Sequence, residues 1–167
     1  LHLKGETIEE ISGMAQAMRE SSLHVNTDGV VVDTCGTGGD SSGTFNISTT
    51  VGLVAAGAGV KVAKHGNRAM TGNCGSADVL EALNVKIDLS PNGVETCLNE
   101  IGFGFMFAQT FHPSMRFAAG PRKEIGIRTV FNILGPLTNP AGAKNHLLGV
   151  SNPDVGEKIA HVLNQLG

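Results

Sequence analysis

The sequence has no tryptophan and no tyrosine, and its seven phenylalanines offer few stacking platforms, which argues against a nucleic-acid surface built on aromatics. It has no excess of positive charge either. Twelve Lys and Arg stand against fifteen Asp and Glu, so the electrostatic footprint of a nucleic-acid binder is missing. Three cysteines, Cys35, Cys74 and Cys97, are too few and too scattered for a disulfide framework, and they read as reduced thiols of a cytoplasmic protein. No Cys-x-x-Cys pair and no His-Glu-x-x-His run offers a contiguous zinc motif. The most apolar stretch, from Val51 to Ala63, contains Lys61 and is too short to cross a bilayer. A basic-then-apolar leader does not open the chain.

What remains is 167 residues, enough for one ordinary domain with a real core, and 23 of them are glycine. The glycines concentrate where chemistry is most easily placed. The apolar run Gly29-Val30-Val31-Val32 leads into Asp33-Thr34-Cys35-Gly36-Thr37-Gly38-Gly39-Asp40-Ser41-Ser42-Gly43-Thr44, and then into Asn46-Ile47-Ser48-Thr49-Thr50. The order reads as strand, glycine-rich turn and helix. Such a turn allows positive φ, and its exposed N–H groups form an anion-binding nest that the following helix reinforces. The loop is not a Walker A motif, since no Gly-Lys-Ser/Thr closes it, and Ser41 stands where a dinucleotide fingerprint needs its last glycine. Asp40 would repel a phosphate and suits a ribose hydroxyl or a metal better.

The rest of the chain alternates between strand and helix signals. An amphipathic helix over residues 5–20 has Thr7 as N-cap and Glu10 at the capping-box position. A buried helix is expected over about Ser48–Ala58, ended by Gly59, followed by a strand at Val60–Ala63 that runs into Lys64-His65-Gly66-Asn67-Arg68. Strand, helix and strand in that order imply a parallel pair, whose carboxyl ends gather ligands. Further helices are expected from Ser76 to Leu83, over 91–100 with Ser90 as cap and Pro91 in the first turn, over Ser114–Ala119 and over Arg122–Leu134. Phe103–Ala108 and Leu147–Val150 read as strands, and Pro153–Leu166 as an amphipathic helix. The alternation of Phe103, Phe105 and Phe107 reads as core. The pattern as a whole specifies an α/β fold with a mainly parallel sheet flanked by helices.

Several side chains carry two readings. Lys64 is a phosphate partner or a solvated lysine, and His65 a contact for an aromatic acid or a locally satisfied histidine. Ser48, Thr49 and Thr50 cap a helix, or lend hydroxyls to phosphate or magnesium. Arg122 pairs with a carboxylate or is an exposed helix charge, and Arg68, Arg116 and Arg128 share that ambiguity. His112, before Pro113, lines a pocket or ends a strand. Cys35 has no partnering base nearby in sequence, so a nucleophilic role is not expected.

Taken together, Gly36-Thr37-Gly38-Gly39-Asp40, Asn46-Ile47-Ser48-Thr49, Lys64-His65-Gly66-Asn67-Arg68, Gly75-Ser76-Ala77-Asp78 and the run from Arg128 to Pro140 resemble the anthranilate phosphoribosyltransferase family. The resemblance implies a nucleoside phosphorylase/phosphoribosyltransferase-like fold with part of a small helical domain. That domain would take residues 1–24 and about 114–134, and an α/β donor-binding domain would take 27–112 and 136–167. It implies transfer of a phosphoribosyl group from 5-phosphoribosyl 1-diphosphate to the amine of anthranilate in tryptophan biosynthesis, with Mg2+, in a cytoplasmic homodimer, and without nucleic-acid or membrane partners. By position, Gly36, Gly39, Asp40, Thr44, Asn46, Ser48, Thr49, Lys64 and Ser76 would hold the donor. Gly36, His65, Asn67, His112 and Arg122 would meet anthranilate, and Ser48 would also bind the metal. The family's later adjacent Asp-Glu magnesium pair has no counterpart here, so the resemblance implies a chain truncated at both ends. A pyrimidine nucleoside phosphorylase and a non-catalytic nucleic-acid-binding relative are the alternatives.

Overall fold

The structure is a computed structural model that describes residues 1–38, 43–69 and 74–167. Among these residues four strands, β1 (Val32–Gly36), β2 (Val62–Gly66), β3 (Phe103–Phe107) and β4 (Asn145–Gly149), form one sheet in the order β3-β2-β1-β4. Every pairing is parallel, with Val32 opposite Val62 and Asn145, and Val62 opposite Phe103. Parallel pairing needs crossover connections, and the helices between the strands supply them. The helices are α1 (Ile8–Glu20), α2 (Ile47–Gly57), α3 (Ser76–Ala82), α4 (Pro91–Glu100), α5 (Ala108–Phe111), α6 (Arg116–Ile125), α7 (Phe131–Leu134) and α8 (Pro153–Leu166).

The local signals for α1 and α4 act as expected. Thr7 Oγ1 accepts from the Glu10 N–H, and the Glu10 carboxylate accepts from the Thr7 N–H in return. Ser90 Oγ accepts from the Gly93 N–H, with Pro91 opening α4. Past α2, Gly59 takes φ +90°, a left-handed turn that releases the chain toward β2.

Several boundaries differ from the sequence expectation. β1 does not end before Asp33 but contains Asp33, Thr34 and Cys35, while Val30, read as strand, is 73% exposed. β2 likewise runs through Lys64 and His65, and β4 begins at Asn145 rather than Leu147. The reason is the ladder: a sheet covered on both faces buries whatever side chains its main-chain register brings in, provided polar ones find partners. Nor does one helix span Arg122–Leu134. α6 starts at Arg116 and includes Pro121, and it stops where Gly126 adopts φ +67° and returns its N–H to Arg122 O. A separate short turn, α7, follows, and Asn132 Oδ1 within it accepts from the Thr129 N–H at 2.8 Å.

Alternation along the strands sorts the core into two sheet faces. Val62, Phe103, Phe105 and Phe107 pack with Ala77, Leu80 and Ile87 on one side. Ala63 and Met106 pack with Val94, Leu98 and Phe111 on the other. The phenylalanine alternation is core, as expected. A third cluster joins the two ends of the chain, with Ile11 and Ala15 of α1 against Val130, Leu134, Leu137, Ile159 and Val162.

Candidate active site

Parallel strands deliver their carboxyl ends to one rim, and there the loop after β1, the start of α2, the end of β2 and the loop before α3 enclose a cleft of about 1120 Å³. Thr37 ties two rims together: its N–H donates to Gly149 O at 2.9 Å, and its Oγ1 accepts from the Ser151 N–H at 3.2 Å. Gly38 and Gly43 both take positive φ, as the glycine reading of this loop requires.

Asn46 organises the entrance to α2. Its Oδ1 accepts from the Thr49 N–H at 2.9 Å and from Ser48 Oγ at 3.2 Å, and its Nδ2 donates to Cys74 O at 3.1 Å. One side chain therefore caps a helix, turns a serine hydroxyl and pins the opposite loop. Across the cleft, Gly66 lets β2 abut α3, since a Cβ there would lie 2.9 Å from both Phe105 Cε2 and Ser76 Cβ.

Lys64 lies beneath this surface and is fully buried. Its Nζ donates to Thr34 O and, at 3.2 Å, to Ser48 Oγ. Burial lowers its pKa, and the neighbouring Asp33 carboxylate opposes that shift. His65 faces the other side of the sheet. Its Nδ1 lies 3.1 Å from Gly135 O and so carries the proton, while the buried Nε2 has no partner. Burial first, and His112 second, pull its pKa down to about 3, so the imidazole is neutral. The His112 ring stands edge-on at 5.0 Å between centroids, itself buried and with its pKa lowered by desolvation.

The sequence-derived candidates thus divide by position. Gly36, Thr44, Asn46, Ser48, Ser76, His65 and Asn67 line the cleft together. Lys64 and Thr49 lie buried below it, and His112 sits behind His65. Arg122 is on α6, its guanidinium 5.2 Å from the ring centre of Phe131, which does line the cleft. Gly39 and Asp40 lie outside the described residues. Of the ambiguous arginines, Arg68 is held by Glu81 and Asp78, while Arg128 lines the cleft and its Nη2 donates to Gly38 O at 3.1 Å. Sequence reasoning missed the support under the site. Asp33 Oδ1 accepts from the His65 N–H at 3.2 Å, and its Oδ2 accepts from Asn139 Nδ2 at 2.7 Å. The same Nδ2 lies 2.9 Å from Ala63 O. The Asn139-Pro140 pair read as the end of a motif, without any signal that it reaches a buried carboxylate 106 residues away.

Cys35 is no nucleophile in this setting: burial and the adjacent Asp33 carboxylate push its thiol far up. Among the described residues no carboxylate lines the cleft. The chemistry on offer is hydrogen-bond donation from hydroxyls, amides and main-chain N–H groups toward an anionic ligand.

The chain is similar to known proteins over its whole length. Over 166 residues the chain is 64% identical to an anthranilate phosphoribosyltransferase of Chloroflexus aurantiacus, covering 99% of this chain and 49% of that relative. It is 64% identical over 167 residues to the one of Herpetosiphon aurantiacus, covering 100% and 49%. The crystal structure of anthranilate phosphoribosyltransferase from Thermus thermophilus matches with a TM-score of 0.93 and 51% identity, over 100% of this chain and 51% of that one. The Saccharomyces cerevisiae enzyme in complex with PRPP and Mg matches with a TM-score of 0.88 and 34% identity, over 96% and 45%. The chain spans about half the length of these relatives. A family model described as glycosyl transferase family, a/b domain, matches residues 28–167, which takes in all four strands and every helix after α1. On that match the chain belongs to the glycosyl transferase family, as its a/b domain.

Proposed function

We propose that the full-length protein transfers a phosphoribosyl group from 5-phosphoribosyl 1-diphosphate to the amine of anthranilate, releasing diphosphate. The observation that carries this reading is the convergence of Gly36, Asn46, Ser48 and Ser76, from separate stretches of the sequence, on one cleft at the strand ends. Support also comes from relatives of that name and from yeast structures in complex with PRPP and Mg and with 4-fluoroanthranilate.

In this reading the loop after β1 and the Asn46–Ser48 turn receive the donor, with Gly39, Asp40, Thr44, Thr49 and Ser76 completing its surroundings. Breaking the anomeric bond gathers negative charge on the diphosphate, so preoriented donors there do most of the work. Lys64 holds Ser48 Oγ in place from below. Anthranilate meets Gly36, His65, Asn67 and His112, with Arg122 toward its carboxylate. Its amine is already a free nucleophile at neutral pH, so a neutral His65 suffices for positioning. Magnesium is part of the proposal through the yeast complex. The described residues do not make a magnesium site on their own, because no carboxylate among them lines the cleft. The same reading makes the protein a cytoplasmic homodimer of tryptophan biosynthesis, with residues 1–24 and about 114–134 in a small helical domain and 27–112 and 136–167 in the α/β domain. Among the described residues no helix is long and apolar enough to cross a membrane.

Calorimetry with 5-phosphoribosyl 1-diphosphate, with and without magnesium, tests the reading. Saturable binding that weakens roughly tenfold in Asn46→Ala is expected, the value of about 1.4 kcal/mol of lost hydrogen bonding. Equal binding of unrelated phosphates such as ATP, or a full-length protein that leaves anthranilate unconsumed, overturns it.

A further inference from the structure

On the sheet face opposite Lys64, three side chains that no contiguous motif announces come together. Asp33 and Cys35 are alternate residues of β1 and share a face, and His146 stands directly opposite Asp33 on β4. One ligand atom from each, a carboxylate oxygen, a sulfur and a ring nitrogen, all lie within 4.8 Å of one another. Of the two His146 nitrogens, Nε2 lies 2.6 Å from Ala143 O and carries the proton, while Nδ1 is buried with no hydrogen-bond partner. The carboxylate is already oriented from behind by Asn139 Nδ2 and the His65 N–H, each of which leaves it further lone pairs. Three lone-pair donors therefore converge.

We propose that Asp33, Cys35 and His146 form a site for a divalent transition metal, zinc in the first instance. The mixed N, O and S donor set favours zinc over magnesium, and three protein ligands leave a fourth position for water. The thiol proton leaves to solvent as the sulfur–metal bond forms, with no change of oxidation state. Carboxylate and thiolate together then neutralise the divalent charge, which makes a buried site tolerable. Cys35 also lines the cleft. The site lies across the sheet from Ser48 and Lys64, and metal binding reads it without reference to phosphoribosyl transfer.

The test is metal binding by the reduced full chain. Equilibrium dialysis against zinc followed by elemental analysis is expected to give about one ion per chain. Cobalt(II) in its place is expected to show a thiolate charge-transfer band in the near ultraviolet. Cys35→Ser and His146→Gln should each weaken binding by ~100-fold or more and abolish the band, whereas Cys74→Ser and Cys97→Ser should leave both unchanged. Circular dichroism shows whether each variant is folded. Should Cys35→Ser fail to fold, the unmodified chain still decides: zinc well below one equivalent, or cobalt bound without a thiolate band, overturns the site. Weak binding that Cys35→Ser and His146→Gln leave intact is adventitious binding to surface histidines and overturns it equally.

Discussion

Lys64 and His65 are neighbours on one strand, face opposite sides of the sheet, and are treated differently by burial. Lys64 Nζ is enclosed by Thr34 O and Ser48 Oγ and does not line the cleft. Lys64→Met keeps the apolar stem and removes the charged tip. Donor affinity is expected to fall roughly tenfold, near 1.5 kcal/mol for one charge-assisted bond behind Ser48, with the fold retained. Calorimetry beside thermal unfolding separates the two effects, and unchanged affinity removes Lys64 from the support of the site. His65 gives a pH signature. In the folded chain it accepts a proton only near pH 3, and once unfolded near its ordinary 6.5. Between those values the unfolded chain binds the additional proton, so this residue's contribution to stability is complete above about pH 6.5 and is lost as pH falls toward 3. Urea unfolding from roughly pH 4 to 6 should show His65→Gln less acid-sensitive than the parent, by at most about 1.4 kcal/mol per pH unit. Asp33 titrates in both proteins with its pKa raised by burial, so the difference between them isolates His65.

At the scale of elements, close approach decides more than propensity. β3 meets α4 at Gly104, where an added Cβ would lie 2.7 Å from Leu98 Cγ and 2.8 Å from Val94 Cγ1. Both neighbours are buried, so Gly104→Ala overpacks a layer that has no slack, and a cost of about 1–3 kcal/mol is expected from urea unfolding. A cost near zero would mean that α4 slides freely on the sheet. The helix α6 teaches a related lesson. Its apolar and basic residues continue past Ile125 in the sequence, yet a single left-handed residue, Gly126, ends it and redirects the chain so that Arg128 reaches Gly38 O. Glycine enters that conformation at no steric cost, which outweighs the helical pattern around it.

The molecule as a whole is held at its two ends by one apolar cluster. α1 contributes Ile11 and Ala15, α8 contributes Ile159 and Val162, and Leu134 of α7 sits between them, 1% exposed. Polar ties run alongside, from Ser12 Oγ to Gln165 Oε1 at 3.1 Å and from Arg19 Nε to Leu137 O at 2.7 Å. Leu134→Ala should therefore cost about 2–5 kcal/mol and loosen both terminal helices together. Amide hydrogen exchange in α1 and α8 checks this, and faster exchange in only one of them would break the link. Leu134 does not line the cleft, so donor affinity of the folded fraction should remain.

The sequence by itself determined the class of fold, the order of its elements and most of the cleft. Thr7 with Glu10, Ser90 with Pro91, and Gly59 act through neighbours a few residues away, so their effect is written locally. Gly36, Asn46, Ser48 and Ser76 were legible for the same reason: each lies in a short block at a strand end or helix start. Tertiary structure alone decided that Asp33, Thr34, Lys64 and His65 belong to strands and are buried, because that depends on the register of parallel partners far along the chain. It alone joined Asn139 to Asp33, and His146 to Asp33 and Cys35. Cross-strand neighbours in a parallel sheet have no fixed spacing in sequence, so no local pattern can announce the chemistry they bring together.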